Sequence, residues 1–186
     1  MLTEGYEIRP LGVADAGARA AAYARNREHL APWDPVRPES FFTEQGQVEN
    51  IEQQLVDLEK GKRHAFMLWY DAGDRQSIVG QVALDNVVRG VLQSGTVGYW
   101  LDHEHLGKGL ATQMVGDVVE FAREIGLHRL EAGTMVRNTA SQGVLLRSGF
   151  TQYGVAERFL YIAGGWQDHV LFQRILHDEA PGNPGS

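Results

Sequence analysis

Cysteine is absent from this 186-residue sequence. Its absence excludes disulfide bridges, thiolate metal sites and cysteine nucleophiles, so any acyl transfer must be direct or use another nucleophile. Long apolar runs are missing too, since none approaches the roughly 20 residues that span a bilayer. The first residues, MLTEGYEIRP, lack the basic and apolar regions of a signal peptide. We therefore expect a cytoplasmic protein with no membrane partner.

Positive charge is scarce, because the sequence has 17 Lys and Arg residues but 24 Asp and Glu residues, which gives a net charge of -7. An acidic chain repels the phosphate backbone, so we expect no nucleic-acid partner, whereas a cationic amine would be attracted. The length fits one domain, which we assign to residues 1–176. Residues 177–186 are polar and contain Pro and Gly, so we predict a disordered tail there.

Hydrophobic periodicity predicts an α/β chain with helices between and after its strands. The second, third and fourth strands are joined by short turns, which favours antiparallel pairing. A proline-rich loop at 31–40 contains Trp33. Strands are predicted at 6–9, 64–70, 78–88, 96–101, 130–136, 155–162 and 169–175, and helices at 15–30, 48–58, 110–125 and 138–148.

The glycine-rich turn at 106–112, with the sequence LGKGLAT, lies between a predicted strand and an amphipathic helix. Free backbone N–H groups and the helix dipole make such a turn an anion site, with phosphate or pyrophosphate as the natural ligand. The turn lacks the spacing of a P-loop and of a dinucleotide-binding G-x-G-x-x-G, which disfavours both. A plain helix start with small residues would give the same local pattern.

The turn and three other segments together resemble the GNAT acetyltransferases. The turn is similar to the family's acetyl-CoA motif, Q/R-x-x-G-x-G/A, with Leu106 at the Q/R position. VRNTAS at 136–141 and LLRSGF at 145–150 are similar to the family's N-x-x-S…L-x-x-x-G-F segment. NREHLAPW at 26–33 and GWQDHVL at 165–171 resemble the RimJ/RimL branch, which acetylates ribosomal-protein N-termini. The likeness covers about residues 5–175.

This resemblance implies a GNAT acyl-CoA N-acyltransferase fold. In that fold a mixed, mostly antiparallel sheet splays after the fourth strand and carries helices on both faces. The implied cosubstrate is acetyl-CoA, and no metal is expected. Its pantetheine arm would bond to the fourth strand like an added strand, and its pyrophosphate would lie on the amides of the turn. The implied cosubstrate-binding residues are Tyr99, Trp100, Leu101, Leu106, Gly107, Lys108, Gly109, Leu110, Ala111, Thr112, Asn138 and Arg147.

The resemblance also implies direct transfer of acetyl to a neutral amine held against the thioester. By its match to the motif, Ser141 would protonate the leaving thiolate. Asn138 would orient pantetheine or a water, although a role as helix N-cap explains this residue equally well. A modest base or a water relay would take the amine proton. Three carboxylates are candidates for the base: Asp85, Glu131 and Glu157.

The acceptor is expected to be a primary amine, and the resemblance favours a protein N-terminal α-amine. Trp33 and His29 are the expected acceptor-side residues, although Trp33 could equally anchor its loop on the core. Three alternatives stay open: a small-molecule amine as acceptor, a non-catalytic acyl-CoA sensor, and a nucleotide-phosphate enzyme that uses the same turn. The sequence does not encode the oligomeric state, and a homodimer stays open.

Overall fold

The computed structural model describes residues 4–180. They form a seven-stranded sheet in the order β1-β2-β3-β4-β5-β7-β6. The strands are β1 (Tyr6–Pro10), β2 (His64–Asp71), β3 (Gln76–Val88), β4 (Ser94–Leu101), β5 (Arg129–Met135), β6 (Thr151–Ile162) and β7 (Gly165–Ile175). The helices are α1 (Ala16–Arg25), α2 (Arg27–Leu30), α3 (Glu44–Glu59), α4 (Leu110–Glu124) and α5 (Thr139–Arg147).

The strand pairing is mostly antiparallel, as the short turns predicted. β2 pairs with β3 and β3 with β4 in antiparallel register. β4 and β5 form the parallel pair, because α4 carries the chain back across the sheet between them. The hairpin of β6 and β7 begins earlier on both strands than predicted. The predicted mixed, mostly antiparallel sheet is therefore confirmed.

The first helical region differs from the prediction of one helix over 15–30. Asn26 divides it into α1 and α2. This residue is fully buried, and its side-chain Nδ2 donates to the Ala22 carbonyl at 3.0 Å and to Asp102 Oδ2 at 2.8 Å. A tertiary hydrogen bond thus competes with regular helix geometry, as asparagine side chains often do. The prediction of a continuous helix was wrong at this residue.

The sheet splays between β4 and β5. Their parallel pairing consists of Ser94 with Arg129, Gly95 with Leu130 and Thr96 with Glu131. Beyond these pairs β4 continues to Leu101 bonded to β3, and β5 continues to Met135 bonded to β7. The inner edges of both strands are left without a ladder partner over this stretch. The predicted splay after the fourth strand is therefore confirmed.

Helices cover both faces of the sheet. The apolar stripe of α4, which includes Leu110, Met114 and Val118, is buried in the main core. On the opposite face α1 and α3 enclose a second cluster around Ile51 and Met67. Each fully buried large aliphatic side chain contributes roughly 1.5–3 kcal/mol, so the two clusters hold the strands against their helices.

The predicted disordered tail at 177–186 is partly described. Residues 177–180 lie outside helix and strand. Residues 181–186 lie outside the described residues, and the disorder stays a prediction.

Candidate active site

The glycine turn joins β4 to α4 at the open end of the splay. Gly107 and Gly109 both have a φ of +76°, a conformation that favours glycine. A Cβ at either position would meet no heavy atom within 4 Å, so the space outside the turn is open. Gly109 offers no side-chain cap, and the first N–H groups of α4 therefore lack intrahelical acceptors. Leu106 lies half exposed at the start of the turn.

A buried carboxylate fixes the start of this turn. Asp102 is fully buried and accepts hydrogen bonds from Arg25 Nε at 2.7 Å, Asn26 Nδ2 at 2.8 Å and the Glu104 amide at 3.0 Å. Burial alone would raise the pKa of Asp102, but the hydrogen bonds outweigh it and hold the pKa below its ordinary value. The turn is thus anchored to α1.

Two cations border the turn and the splay without a carboxylate partner within residues 4–180. Lys108 leans toward β1, where its Nζ donates to the Tyr6 hydroxyl at 3.2 Å. Arg147 folds back along α5, so that a Cβ at Gly143 would lie 3.1 Å from its Nη1. Both side chains are exposed and could meet an anionic ligand.

One wall of the splay is made by Tyr99 of β4 and the first turn of α5. The Tyr99 hydroxyl lies 2.8 Å from Ser141 Oγ and 3.0 Å from the Ser141 carbonyl oxygen. Burial raises the pKa of Tyr99 to about 12, although the hydrogen bond to Ser141 and the charge of Arg147 oppose the shift. Asn138 caps α5, because its Oδ1 accepts from the Ser141 amide at 3.1 Å.

Asp85 lies on the opposite face of the sheet, at the closed end of the splay. It pairs in register with Thr96, which in turn pairs with Glu131. Its Oδ2 is 4.0 Å from the position of a Cβ at Gly98, a residue of the free edge. Burial raises the pKa of Asp85, while the nearby Arg63, whose Nη1 is 2.5 Å from Oδ1, opposes the shift.

The other two candidate carboxylates are placed differently. Glu131 shares the row of Asp85, but its Oε1 accepts from Arg129 at 2.9 Å and from Tyr153 at 3.0 Å. Glu157 is exposed at an irregular part of β6, and it makes no ion pair within residues 4–180. Asp85 is therefore the carboxylate whose position and raised pKa best fit a base.

The proline-rich loop reaches the Ser141 end of the splay. The Arg137 guanidinium lies 5.3 Å from the centre of the Trp33 ring, and its Nη2 donates to the Pro32 carbonyl at 3.1 Å. Arg137 directly precedes Asn138, so Trp33 is held beside the turn that begins α5. The His29 ring is 5.9 Å from that of His103, near the glycine turn.

Some contributors were missed by sequence reasoning. The hydroxyl of Tyr99, the Arg63 partner of Asp85 and the Arg137 partner of Trp33 all act across long sequence separations. Strand alternation could have placed the Tyr99 side chain on the face of Val97 and Leu101, opposite that of Trp100. Nothing local in the sequence indicates which helix residue it meets there.

Residues 4–180 offer neither a clustered metal site nor a membrane-spanning helix. No group of three or more His, Asp or Glu side chains in this range is arranged to hold a metal ion. No helix in the same range is long and apolar enough to cross a bilayer.

Comparison with known proteins relates both the sequence and the fold to acetyltransferases. Residues 6–151 match the model of the acetyltransferase (GNAT) domain. The probable N-acetyltransferase YjcK of Bacillus subtilis (strain 168) is 37% identical over 173 residues, which cover 92% of this chain and 94% of that protein.

Solved structures show the same architecture. The crystal structure of the ribosomal-protein-S5-alanine acetyltransferase from Vibrio fischeri has a TM-score of 0.90 and 34% identity, covering 97% of this chain and 98% of that one. Mycobacterium smegmatis RimJ, in complex with CoA-disulfide, has a TM-score of 0.85 and 28% identity, covering 91% and 81%. The likeness extends over the turn, the splay and the loop described above.

Proposed function

This chain belongs to the GNAT acetyltransferase family, and from that premise we propose that it transfers acetyl from acetyl-CoA directly to a protein N-terminal α-amine. The observation that carries the proposal is the free inner edge of β4, which leads into the glycine turn. Together they provide a strand edge for an extended chain and a cluster of N–H groups for its phosphates. We assign the reaction to the cytoplasm.

The cosubstrate fits the residues at the open end of the splay. The unpaired backbone at 97–101 can bond to pantetheine, because β5 makes no ladder with it there. The amides of 107–112 can bind the pyrophosphate, since Gly107 and Gly109 leave the approach open. Lys108 and Arg147 can add charge-assisted hydrogen bonds to phosphate. Crystallised with CoA-disulfide, the Mycobacterium smegmatis relative supports this choice of ligand.

The chemistry divides between the two faces of the sheet. On the face of α1 and α3, Asp85 or a water that it holds takes a proton from the attacking amine, whose pKa is near 8 for an α-amine. The C–N bond forms, the C–S bond breaks, and the thiolate leaves toward Ser141 on the other face. The Ser141 hydroxyl donates a hydrogen bond to this thiolate. Asn138 holds Ser141 through its cap, and its Nδ2 can contact pantetheine or a water.

The acceptor approaches past the loop that contains Trp33. A protein N-terminus is supported by the Vibrio fischeri relative, which acts on an alanine of ribosomal protein S5. The net charge of -7 favours a cationic acceptor in general. Trp33 and His29 line the approach in this proposal, and Arg137 fixes the Trp33 ring.

Calorimetry and a peptide screen test the proposal. We expect heat of binding with acetyl-CoA and acetylation of peptides with a free N-terminal alanine or serine, but not of the same peptides with a blocked N-terminus. Turnover of polyamines or free amino acids without turnover of any peptide would move the acceptor to small amines. Binding without any turnover would indicate an acyl-CoA sensor. Absence of heat with acetyl-CoA and its acyl homologues would contradict the cosubstrate itself.

A further inference from the structure

We propose that Tyr99 is a positioning residue, whose hydroxyl turns the hydrogen of Ser141 toward the leaving thiolate. The inference rests on the proposed function and adds a residue to it. In the proposed function Tyr99 contributes only its backbone, as part of the free edge of β4. Its side chain gives it a second task, because it spans from β4 to the first turn of α5.

The Tyr99 hydroxyl has a single hydrogen and two neighbouring acceptors. The Tyr99 oxygen lies within hydrogen-bond distance of two acceptors, the Ser141 carbonyl oxygen at 3.0 Å and Ser141 Oγ at 2.8 Å. A carbonyl can only accept, and a tyrosine hydroxyl has one hydrogen to donate. Tyr99 therefore donates either to the carbonyl or to Oγ, and the two choices have different consequences for Ser141.

The first arrangement withholds the serine. When Tyr99 donates to the carbonyl, the close contact with Oγ is a hydrogen bond only if Ser141 donates to Tyr99. The serine hydrogen then points at the tyrosine oxygen and is unavailable to a ligand. When Tyr99 donates to Oγ instead, the hydrogen of Ser141 is free to point into the splay.

A thiolate favours the second arrangement. Hydrogen bonds to a charged acceptor are roughly twice as strong as those between neutral groups, so charge developing on sulfur draws the serine hydrogen toward it. Donation from Tyr99 also polarises the serine O–H, because linked hydrogen bonds strengthen one another. Asn138 fixes the backbone of Ser141 through its amide, so reorientation needs only rotation of two hydroxyl hydrogens.

Tyr99 acts as a donor and not as an acid. Burial raises its pKa to about 12, which keeps it protonated over the working pH range. A simple thiol has a pKa of about 8.5, so proton transfer from this tyrosine to a thiolate would be uphill. The proton that the departing thiolate finally takes balances the one lost by the amine and passes through solvent or the base. Tyr99 and Ser141 donate hydrogen bonds during the reaction, and both keep their protons.

The test uses Tyr99→Phe, Ser141→Ala and the double variant. Phenylalanine keeps the ring that packs against the main core and removes only the hydroxyl. Ser141→Ala removes the hydrogen bond to the charged sulfur, which is worth about 1.5–3 kcal/mol, so we expect kcat to fall roughly ten- to hundredfold. Tyr99→Phe keeps the serine donor and removes only the bond that orients and polarises it, so we expect a smaller loss, about three- to fivefold. The KM for acetyl-CoA should stay within about twofold. Because the two residues act in series, the double variant should be no slower than Ser141→Ala alone.

A second readout does not depend on turnover. The ultraviolet absorbance of thiolate reports the pKa of the CoA thiol bound to the protein. We expect that pKa to rise by about one unit in Ser141→Ala, which removes the hydrogen bond to sulfur, and by about half a unit in Tyr99→Phe, which only weakens it. Tyr153→Phe is the matched control, because it removes a tyrosine hydroxyl bonded to Glu131 at 3.0 Å on the other face of the sheet.

The failures of the two proposals are distinguishable. If the wild-type protein binds no acetyl-CoA, the proposed function fails before any variant is made. If the wild-type protein acetylates peptides while Tyr99→Phe keeps its kcat and its bound thiol pKa, Tyr99 has no positioning role. Additive losses in the double variant, or an equal loss of acetyl-CoA affinity, would likewise overturn the inference in favour of packing or binding.

Discussion

The two sides of the candidate site, both at the open end of the splay, are built from different materials. The side proposed for the cosubstrate is mainly backbone, with an unpaired strand edge and a glycine turn anchored by the buried Asp102. The side proposed for the acceptor is mainly side chains on a loop, where the Trp33 ring rests beside Arg137. A backbone site tolerates substitution of its side chains, which explains how Leu106 can occupy a position that is Gln or Arg in the family motif. A side-chain site can change its ligand with single substitutions.

The largest effect is expected at Asp102, which anchors the glycine turn. Asp102→Ala should lower the free energy of unfolding by about 3 kcal/mol, because the buried Asn26 amide and the Arg25 guanidinium each lose their carboxylate acceptor. Acetyl-CoA affinity should fall with it, since the glycine turn loses its tether. Chemical denaturation and calorimetry measure the two losses.

The control for Asp102 is Glu7→Gln, which breaks an exposed pair with Arg9 and should leave stability unchanged. The effect of Asp102 also has a pH dependence. Because its folded pKa is lowered, its contribution is present above the unfolded value near 4 and is lost as the pH falls through the folded pKa. A stability gap that stayed constant into strong acid would count against this account.

Two glycines, one in the turn and one inside α4, show whether the turn depends on its glycine conformation. Gly109 has a φ of +76° at the start of α4, whereas Gly116 lies within the helix, with nothing within 4 Å of a Cβ. Gly109→Ala should cost about 1–2 kcal/mol through left-handed strain, seen as roughly tenfold weaker acetyl-CoA binding. Gly116→Ala should keep that affinity and stabilise the helix by about 0.5–1 kcal/mol. Equal affinities in the two variants would show that the turn does not depend on its glycine conformation.

The assignment of the base can be tested by removing the arginine partner of one candidate carboxylate at a time. Arg63→Met removes the charge that opposes the raised pKa of Asp85, so that pKa should rise further. If Asp85 is the base, the acidic limb of kcat/KM moves to higher pH, by about one unit. Arg129→Met is the matched control for Glu131 and should leave the limb in place. A shift of the limb in Arg129→Met but not in Arg63→Met would assign the base to Glu131.

The smallest effect is expected at Trp33, on the side of the site proposed for the acceptor. Trp33→Ala removes a ring whose contact with the Arg137 guanidinium is worth about 0.5–1 kcal/mol. The KM for the acceptor peptide should rise roughly three- to fivefold, while the KM for acetyl-CoA stays the same. Steady-state kinetics with each substrate varied in turn separates the two constants. A change confined to the KM for acetyl-CoA would place Trp33 on the cosubstrate side of the site.

Local features were predictable where a few neighbouring residues decide the structure. The glycine turn and the cap of α5 by Asn138 follow from backbone conformation and a side chain three residues from its partner. The antiparallel order of β2, β3 and β4 follows from their short turns. The break at Asn26 did not follow, because its cause is Asp102, 76 residues away along the chain.

The sequence by itself determined the family, the order of the elements and the position of the glycine turn, since each depends on short motifs or on hydrophobic periodicity. Only the tertiary structure decided that the Tyr99 hydroxyl meets Ser141 and that Arg63 meets Asp85. It also decided that the three candidate carboxylates have unequal surroundings. The physical reason is that pKa values and hydrogen-bond partners depend on burial and on residues distant in sequence, which pack together only when the sheet and its helices assemble.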